Sequence, residues 1–158
     1  MAITLREITE NNWKIAAEIE HTENQRDFVA DGIEILALAY VYRNNNAKVQ
    51  AIYAGETMVG LLLVEDLNEE PCCYHLHELL IDKKYQNKGF GSKAIKLLLS
   101  QLAEERKFPR VEVCVHSKNT MAISFYKANG FKLNNYIDED SPWNRMYTYT
   151  FANNISSN

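Results

Sequence analysis

The chain has 158 residues and a formal net charge of −4. This length predicts one domain, which can bury a core of ordinary size without disulfides or metals. The negative charge argues against a general nucleic-acid binder, because affinity for the phosphate backbone requires many Lys and Arg side chains on one face. It suits a soluble protein with a cationic or neutral substrate.

Cysteine usage and hydropathy exclude two further classes. The three cysteines are Cys72, Cys73 and Cys114. Their number is odd and two are adjacent, so neither a disulfide framework nor a metal site is predicted. The longest apolar run, residues 35–41, is too short to span a bilayer, and the N-terminus lacks the apolar segment of a signal peptide. We expect a cytoplasmic protein that is neither secreted nor transmembrane.

The first half of the chain predicts helices between an opening strand and a hairpin. Alternating apolar residues indicate strands, and helical spacing after capping side chains indicates helices; residues 22–25, beginning at Thr22, fit a capping box. The predicted elements are, in order, a strand at 3–8, a helix at 13–19, one kinked or two short helices over 22–40 that break at Asp31 and Gly32, strands at 49–53 and 58–64 around a tight turn, and an acidic loop at 65–71.

The second half continues with a strand, a basic loop and a long helix. Pro109 and Gly130 mark breaks between the later elements. The predicted elements are a strand at 72–81, a helix from Ser92 onward, a strand at 111–115, a helix at 119–129, and closing strands at 131–137 and 146–151. We expect one domain over residues 1–152 and a polar, frayed tail at 153–158.

Two glycines separate the strand at 72–81 from the long helix. Gly89 and Gly91 lack the side chains that would keep a ligand off the backbone, so N–H groups at the helix N-terminus can converge on an anion. Three lysines add positive charge just before the helix; they are Lys83, Lys84 and Lys88. The stretch therefore predicts a phosphate-binding loop.

Two other interpretations of these glycines stay open. Residues 89–94 also satisfy the short dinucleotide-binding pattern, with Glu112 at a tolerable distance as an acid for the ribose. A dinucleotide turn, however, follows its strand almost directly and belongs to a run of strand–helix–strand units, whereas here a basic loop intervenes and a hairpin precedes. In the other interpretation, the glycines merely permit a tight turn.

A second cluster lies at residues 119–131, where a helix carries Asn119, Ala122 and Tyr126 and ends at Gly130 and Phe131. The two clusters together resemble the GNAT superfamily of N-acetyltransferases. That family carries a Gln/Arg-x-x-Gly-x-Gly/Ala loop and later an Asn-x-x-Ala-x-x-x-Tyr helix that ends in Gly-Phe. The first pattern is matched here by Gln86, Gly89 and Gly91.

The resemblance covers the whole chain, because the predicted order of strands and helices also looks like this family's. It implies an α/β (α+β) fold in one domain. The central sheet would be mixed, mostly antiparallel and splayed in the middle, with helices on both faces. Many relatives dimerise, so the resemblance also implies a possible homodimer.

The resemblance implies acetyl-CoA as the acetyl donor. Its pyrophosphate would bind backbone amides of the glycine stretch, and its pantetheine arm would pair like an extra strand where two strands splay. Asn119 would hold this arm, cap its helix, or do both. The residues assigned to the cofactor are Leu79, Leu80, Ile81, Gln86, Asn87, Lys88, Gly89, Phe90, Gly91, Ser92, Asn119 and Tyr126.

The N-terminal third resembles more loosely the spermine/spermidine acetyltransferases of this superfamily. Several acids fall in one helical region, from Glu18 to Glu34, and a polyamine needs carboxylates to replace its lost water. The acceptor site would include Glu23, Asp27 and His77. A solvated acidic face is the alternative interpretation. Aminoglycosides, amino acids and protein N-termini also stay open as acceptors.

Two residues are candidates for proton transfer. Glu78 is the candidate general base, and strand alternation places it with Tyr74, Leu76 and Leu80, opposite His75, His77 and Leu79. His77 is the rival base. The phenol of Tyr126 is the candidate acid for the thiolate of CoA, because its position in the motif brings it along the same helix face as Asn119. A binding module that keeps the acyl-CoA site but catalyses nothing is the alternative from another class.

Overall fold

The computed structural model describes residues 1–152. Within this range the chain forms four α-helices and seven strands. The helices are α1 (Trp13–Ala17), α2 (Gly32–Val41), α3 (Phe90–Glu105) and α4 (Thr120–Ala128). The strands are β1 (Ile3–Glu7), β2 (Lys48–Ala54), β3 (Thr57–Leu67), β4 (Cys73–Ile81), β5 (Arg110–His116), β6 (Lys132–Asn134) and β7 (Asn144–Thr150). The prediction for the tail at 153–158 lies outside the described residues.

The strands form one mixed sheet in the order β1-β2-β3-β4-β5-β7-β6. All neighbouring pairs are antiparallel except β4 and β5, which are parallel. The predicted mixed, mostly antiparallel sheet is therefore confirmed. The dinucleotide interpretation is wrong, because that fold requires a run of parallel strands joined by crossover helices.

Helices cover both faces of the sheet, as predicted. On one face α3 and α4 pack on a core that includes Ile95, Leu98 and Phe131. On the other face α1 and α2 pack on a second core around Ile35, Leu61 and Leu63. The continuous apolar run of β3 follows from this two-sided burial, because both faces of that strand lie against helices.

The sheet opens between its two parallel strands. β4 and β5 are paired only at Tyr74 with Val111 and at His75 with Glu112. Beyond these positions the strands diverge, although β4 stays paired to β3 as far as Ile81 and β5 stays paired to β7 as far as His116. The facing edges of β4 and β5 thus leave backbone groups that a ligand can pair with. The predicted splay is confirmed.

A β-bulge in β4 overturns the predicted orientation of Glu78. Leu63 of β3 pairs with Glu78, whereas the next residue, Val64, pairs with Leu76, so His77 is the extra residue. A bulge lets consecutive side chains share one face. His77 stacks on Tyr42 at the end of α2, and Glu78 lies on the same α2 face. The prediction that Glu78 lies with Tyr74 and Leu76, opposite His77, is wrong.

The acidic loop predicted at 65–71 is shorter than expected. Glu65 and Asp66 belong to β3 and are buried. Each acid has partners that neutralise or hydrogen-bond its carboxylate: the His75 Nδ1 lies 2.8 Å from Glu65 Oε1, and Lys107 pairs with Asp66. Acidic residues in a sequence usually indicate a solvent-exposed segment. The partners that permit the burial of Glu65 and Asp66 are distant from them in the sequence.

Other boundaries differ by a few residues. The segment predicted as helical over 22–40 contains a 3-10 turn at Glu23–Gln25, which the predicted capping box of Thr22 begins, and then α2. The strand predicted at 131–137 is confined to β6. No helix in residues 1–152 has the length and apolar character needed to cross a membrane.

Candidate functional site

A cavity of about 400 Å³ opens where β4 and β5 diverge. Its wall combines three regions: the segment of residues 22–31, here called the strap; the diverging strands; and residues 86–92, here called the glycine loop, with the start of α4. The lining includes Asn24, Gln25, Phe28, Val29, His77, Glu78, Leu79, Ile81, Gln86, Asn87, Gly89, Phe90, Gly91, Ser92, Cys114, His116, Asn119, Met121, Ala122, Phe125 and Tyr126.

The glycine loop presents backbone rather than side chains to this cavity. Asn87 and Gly89 adopt left-handed conformations, with φ of 62° and 79°, and α3 begins directly afterwards at Phe90. The first N–H groups of a helix have no partner within that helix. The positive end of the helix dipole lies at these groups and favours an anion, and the glycines leave the groups accessible. A Cβ at Gly91 would lie 3.3 Å from the Phe125 ring, so this position accepts little extra volume.

The side chains before the glycines have mixed roles. Gln86 Nε2 donates to Ile81 O and to Gln25 Oε1, each at 2.9 Å, so the amide ties the glycine loop to the strap. Lys83 forms an ion pair with Glu20. The Lys88 ammonium lies 5.8 Å from the centre of the Tyr85 ring. Gln86 therefore shapes the loop, and Lys88 stays near it as a source of positive charge.

The predicted strand residues divide between the two sides of β4. Leu79 and Ile81 line the cavity, whereas the Leu80 side chain is buried in the core beneath α1 and α2. Any contact of Leu80 with a ligand must therefore be made by its backbone. At the start of α4, Asn119 Oδ1 accepts a hydrogen bond from the Ala122 amide at 3.3 Å, so the predicted capping role is observed.

Glu78 lines the cavity and is largely buried. Its side chain is 17% exposed. Burial raises the pKa of Glu78 to about 7, and the charge of Glu34 raises it further, whereas the backbone of Ala30 acts in the opposite direction. A carboxyl with this pKa exchanges its proton at neutral pH, which is the property required of a general base.

His77, the rival base, has a different environment. Its Nδ1 is buried without a hydrogen-bond partner among the described residues and lies 3.9 Å from Glu78 Oε1. Burial and the nearby His75 lower the pKa of His77. The ring is therefore neutral at pH 7 and is a weaker proton acceptor than an unperturbed histidine.

Tyr126 reaches the same cavity from the other side of the sheet. Its ring is buried and packs edge-on against Phe125 and Phe131, with centroid distances of 5.1 and 5.3 Å. Burial, and then the charge of Glu78, raise the pKa of Tyr126, so its hydroxyl is protonated at neutral pH. Because the sheet is open here, a base from the α2 face and an acid from the α4 face line one space.

The remaining predicted acceptor residues lie outside the cavity lining. Glu23 belongs to the strap, but its side chain is 85% exposed and pairs with Arg26 at 3.4 Å. Asp27 is also exposed. Their neighbours Phe28 and Val29 line the cavity instead. Other acids of the predicted cluster are paired as well, since Asp31 lies 3.2 Å from His21 Nε2.

The sequence interpretation missed several cavity residues. Three of them, Phe28, Cys114 and His116, line the cavity but belong to no motif. Phe28 lies in the segment predicted as helical over 22–40, and His116 directly follows the strand predicted at 111–115. Only the divergence of β4 and β5 brings these segments together, and no local pattern records that distance.

The comparisons with known proteins agree with this architecture. The profile of the Acetyltransferase (GNAT) family matches residues 5–131, so the chain belongs to that family. The resemblance inferred from the motifs is confirmed. The protein is an acetyl-CoA-dependent N-acetyltransferase.

Two relatives from Bacillus are similar over 141 residues, which is 87% of this chain and 93% of each relative. One is the "Probable spermine N(1)-acetyltransferase" of Bacillus subtilis subsp. natto (strain BEST195), 27% identical. The other is the spermine/spermidine N(1)-acetyltransferase of Bacillus subtilis (strain 168), 26% identical.

Two solved structures share the fold. The spermidine N-acetyltransferase from Vibrio cholerae, in complex with CoA and spermine, aligns with a TM-score of 0.70 at 15% identity over 92% of both chains. The PaiA N-acetyltransferase from Thermoplasma acidophilum, in complex with coenzyme A, gives 0.69 at 17% identity over 96% of this chain and 100% of the other.

Proposed function

We propose that the protein transfers the acetyl group of acetyl-CoA to a primary amine of a polyamine such as spermine or spermidine, by direct attack in a ternary complex. The observation that carries this proposal is the pairing of Glu78 and Tyr126 across the open part of the sheet. Their pKa values differ in the sense that a base and an acid of one reaction require.

The donor would occupy the opening between β4 and β5. The pyrophosphate would bind backbone amides of Asn87 to Ser92, and the pantetheine amides would pair with the free edge of β4 near Leu79 and Ile81. Lys88 would add long-range attraction. Asn119 would cap α4 and turn its remaining amide toward the arm. In this arrangement the thioester would lie between Glu78 and Tyr126.

Glu78 would prepare the acceptor. An alkylammonium carries no lone pair, so it must lose a proton before nitrogen attacks the thioester carbon. The Glu78 carboxylate, with its pKa about 7, would accept that proton directly or through water. His77 would contact the acceptor from the same face, and its neutral ring avoids repelling a cation.

Tyr126 would complete the transfer. When the tetrahedral intermediate collapses, the bond between carbon and sulfur breaks, and the electron pair leaves on sulfur. The protonated phenol would donate a hydrogen bond or its proton to that thiolate. Cys114 is a poor nucleophile for a covalent alternative, because desolvation and the charge of Asp138 raise the pKa of its thiol. Direct attack therefore fits this chain better.

A polyamine is supported as acceptor by the names of the two Bacillus relatives and by charge. Glu78 is the only acidic residue among the described residues that line the cavity. Glu23 and Asp27 stand outside it, where they would attract a polycation over distance rather than bind it directly.

We further propose a cytoplasmic homodimer. Exposed apolar side chains around edge strand β6, including Leu133 and Trp143, support such contacts.

The test is acetyl-CoA consumption across polyamines, aminoglycosides, amino acids and peptides. We expect the highest kcat/KM with spermine or spermidine, and initial-rate lines that intersect when both substrates are varied. Cys114→Ser is the matched control, and we expect it to keep the parental kcat. A higher kcat/KM with another amine class would overturn the polyamine assignment. Parallel lines, or loss of activity in Cys114→Ser, would overturn direct attack. Binding of acetyl-CoA without turnover of any amine would indicate a binding module.

A further inference from the structure

We propose that Phe28 and His116 form an aromatic wall that binds the alkylammonium chain of the acceptor and contributes to its specificity. This inference rests on the proposed function and adds two residues to it. The two rings come from opposite sides of the cavity, one from the strap and one from the end of β5. Their centroids are 5.2 Å apart, with planes inclined by 46°, so the rings are in contact and form one aromatic surface on the cavity wall.

Phe28 is held in place by the attachments of the strap. At its base, His21 N donates to Asp31 Oδ1 at 3.1 Å, and Gly32 N donates to Ile19 O at 2.9 Å. Near its tip, the Phe28 amide donates to Gln25 O at 2.9 Å. The Gln25 side chain also accepts a hydrogen bond from Gln86, so the strap is attached both at its base and near its tip. The backbone position of Phe28 is therefore well defined.

His116 is held from the other side. Its Nδ1 accepts a hydrogen bond from the Lys118 amide at 3.1 Å, and its carbonyl accepts one from the Asn119 amide at 2.9 Å. Because Nδ1 is engaged by the Lys118 amide, the orientation of the ring is set and Nε2 is the ring nitrogen left for other partners.

The composition of the cavity explains why an aromatic wall is needed. A polyamine brings at least two ammonium groups, and only one of them gives its proton to a base. Among the described lining residues, Glu78 is the sole carboxylate. The other ammonium groups and the methylenes between them need partners of another kind. An aromatic face attracts an ammonium through its quadrupole and packs against methylene groups. Phe28 supplies that face, and the His116 ring extends the same surface.

The test uses three variants and spermine as the probe. Phe28→Leu keeps an apolar side chain but removes the aromatic face. His116→Asn removes the ring but keeps an acceptor for the Lys118 amide. The double variant completes a mutant cycle. Tyr40→Leu is the control, since Tyr40 is 68% exposed on α2 outside the cavity. Steady-state kinetics give KM for spermine and for acetyl-CoA, and calorimetry gives the Kd of spermine for the CoA-bound protein.

We expect each single variant to raise the KM and Kd of spermine about five- to thirtyfold, which corresponds to the loss of one cation–π contact. The double variant should show less than the product of the two effects, because the two rings form one surface and either change disrupts it. The KM of acetyl-CoA and the melting temperature should stay near parental values. Tyr40→Leu should match the parent in every measurement.

Other outcomes would overturn the proposed aromatic wall. Equal rises in both KM values, or a change in kcat alone, would show that the rings only maintain the shape of the site. Unchanged spermine Kd in Phe28→Leu would have the same meaning. The proposed function fails separately: if the parent acetylates no polyamine, that assignment falls, whereas the calorimetric Kd values still decide whether Phe28 and His116 bind an alkylammonium.

Discussion

The glycine loop meets its ligand with backbone, whereas the strap meets its ligand with side chains. On the glycine loop, Gly89 and Gly91 remove obstacles, and the amides at the start of α3 provide the binding groups. On the strap, Phe28 and Val29 provide the surface, and Glu78 faces them from β4. A donor that never changes suits a wall made of invariant backbone groups. An acceptor that differs between enzymes suits a wall whose chemistry depends on individual side chains.

The two walls should therefore respond differently to mutation. Changes in the glycine loop should weaken the binding of acetyl-CoA alone. Changes in the strap should weaken the binding of the amine acceptor alone. Gln86, which bonds to Gln25, is the contact that could couple them. Glu78 and Tyr126 lie between the walls and should affect the chemical step.

The largest effect is expected at the glycine loop. Gly91→Val should weaken acetyl-CoA binding by about a hundredfold or more, because a branched side chain blocks the anion's approach to the backbone. Calorimetry with CoA measures the loss. The new Cβ also approaches the Phe125 ring at 3.3 Å, so circular dichroism and Gly91→Ala serve as checks on folding. A folded Gly91→Val protein with parental CoA affinity would remove the glycine loop from the account.

Tyr126→Phe should have the next largest effect. The ring keeps its packing against Phe125 and Phe131, and only the hydroxyl is lost. We expect kcat to fall by roughly ten- to a thousandfold, the range for a general acid with a tolerable leaving group. Acetyl-CoA affinity and melting temperature should change little. Parental kcat, with chemistry shown to be rate-limiting, would exclude the phenol from the mechanism.

The ionised Glu78 side chain should destabilise the folded state, because it is largely buried. Because burial raises its pKa to about 7, the folded state retains a proton that the unfolded state has lost between about pH 4.5 and 7. Its contribution to the free energy of unfolding is therefore lost as pH rises through this window. When the pH is raised from 4.5 to 8, the free energy of unfolding of Glu78→Gln should increase by on the order of 1–3 kcal/mol relative to that of the parent. Denaturant unfolding at both pH values checks this, and a pH-independent difference would contradict it.

The smallest effect is expected from the exposed acids of the strap. The double change Glu23→Gln with Asp27→Asn should raise the KM of spermine by about threefold or less, because these carboxylates act through solvent. The effect should vanish at high salt. A tenfold rise that persists at high salt would instead place them in direct contact with the acceptor.

Much of the fold and of the donor side could be predicted from local patterns. Gly89, Gly91, Asn119 and Tyr126 stand at spacings that encode a loop and a helix face, and each of them lines the cavity. The capping box at Thr22 is also local, and it forms as predicted. Such features need only neighbours within one or two turns, so the sequence records them directly.

The acceptor side could not be predicted in the same way. The bulge at His77 changes the face of every following residue in β4, and period-2 alternation contains no signal for it. The burial of Glu65 depends on His75 and Asn45, which lie ten and twenty residues away. The meeting of Phe28 with His116 depends on the splay of the whole sheet. Long-range geometry decided these features.

The most direct test of the account is the pH dependence of kcat/KM for spermine in the parent and in Glu78→Gln, with acetyl-CoA saturating. Bases that titrate in the free site appear as inflections in this profile. We predict an inflection near pH 7 in the parent, from the raised pKa of Glu78, and its disappearance in Glu78→Gln together with a fall of about a hundredfold or more. A Glu78→Gln enzyme with the parental rate and the same inflection would contradict the assignment of Glu78 as the base.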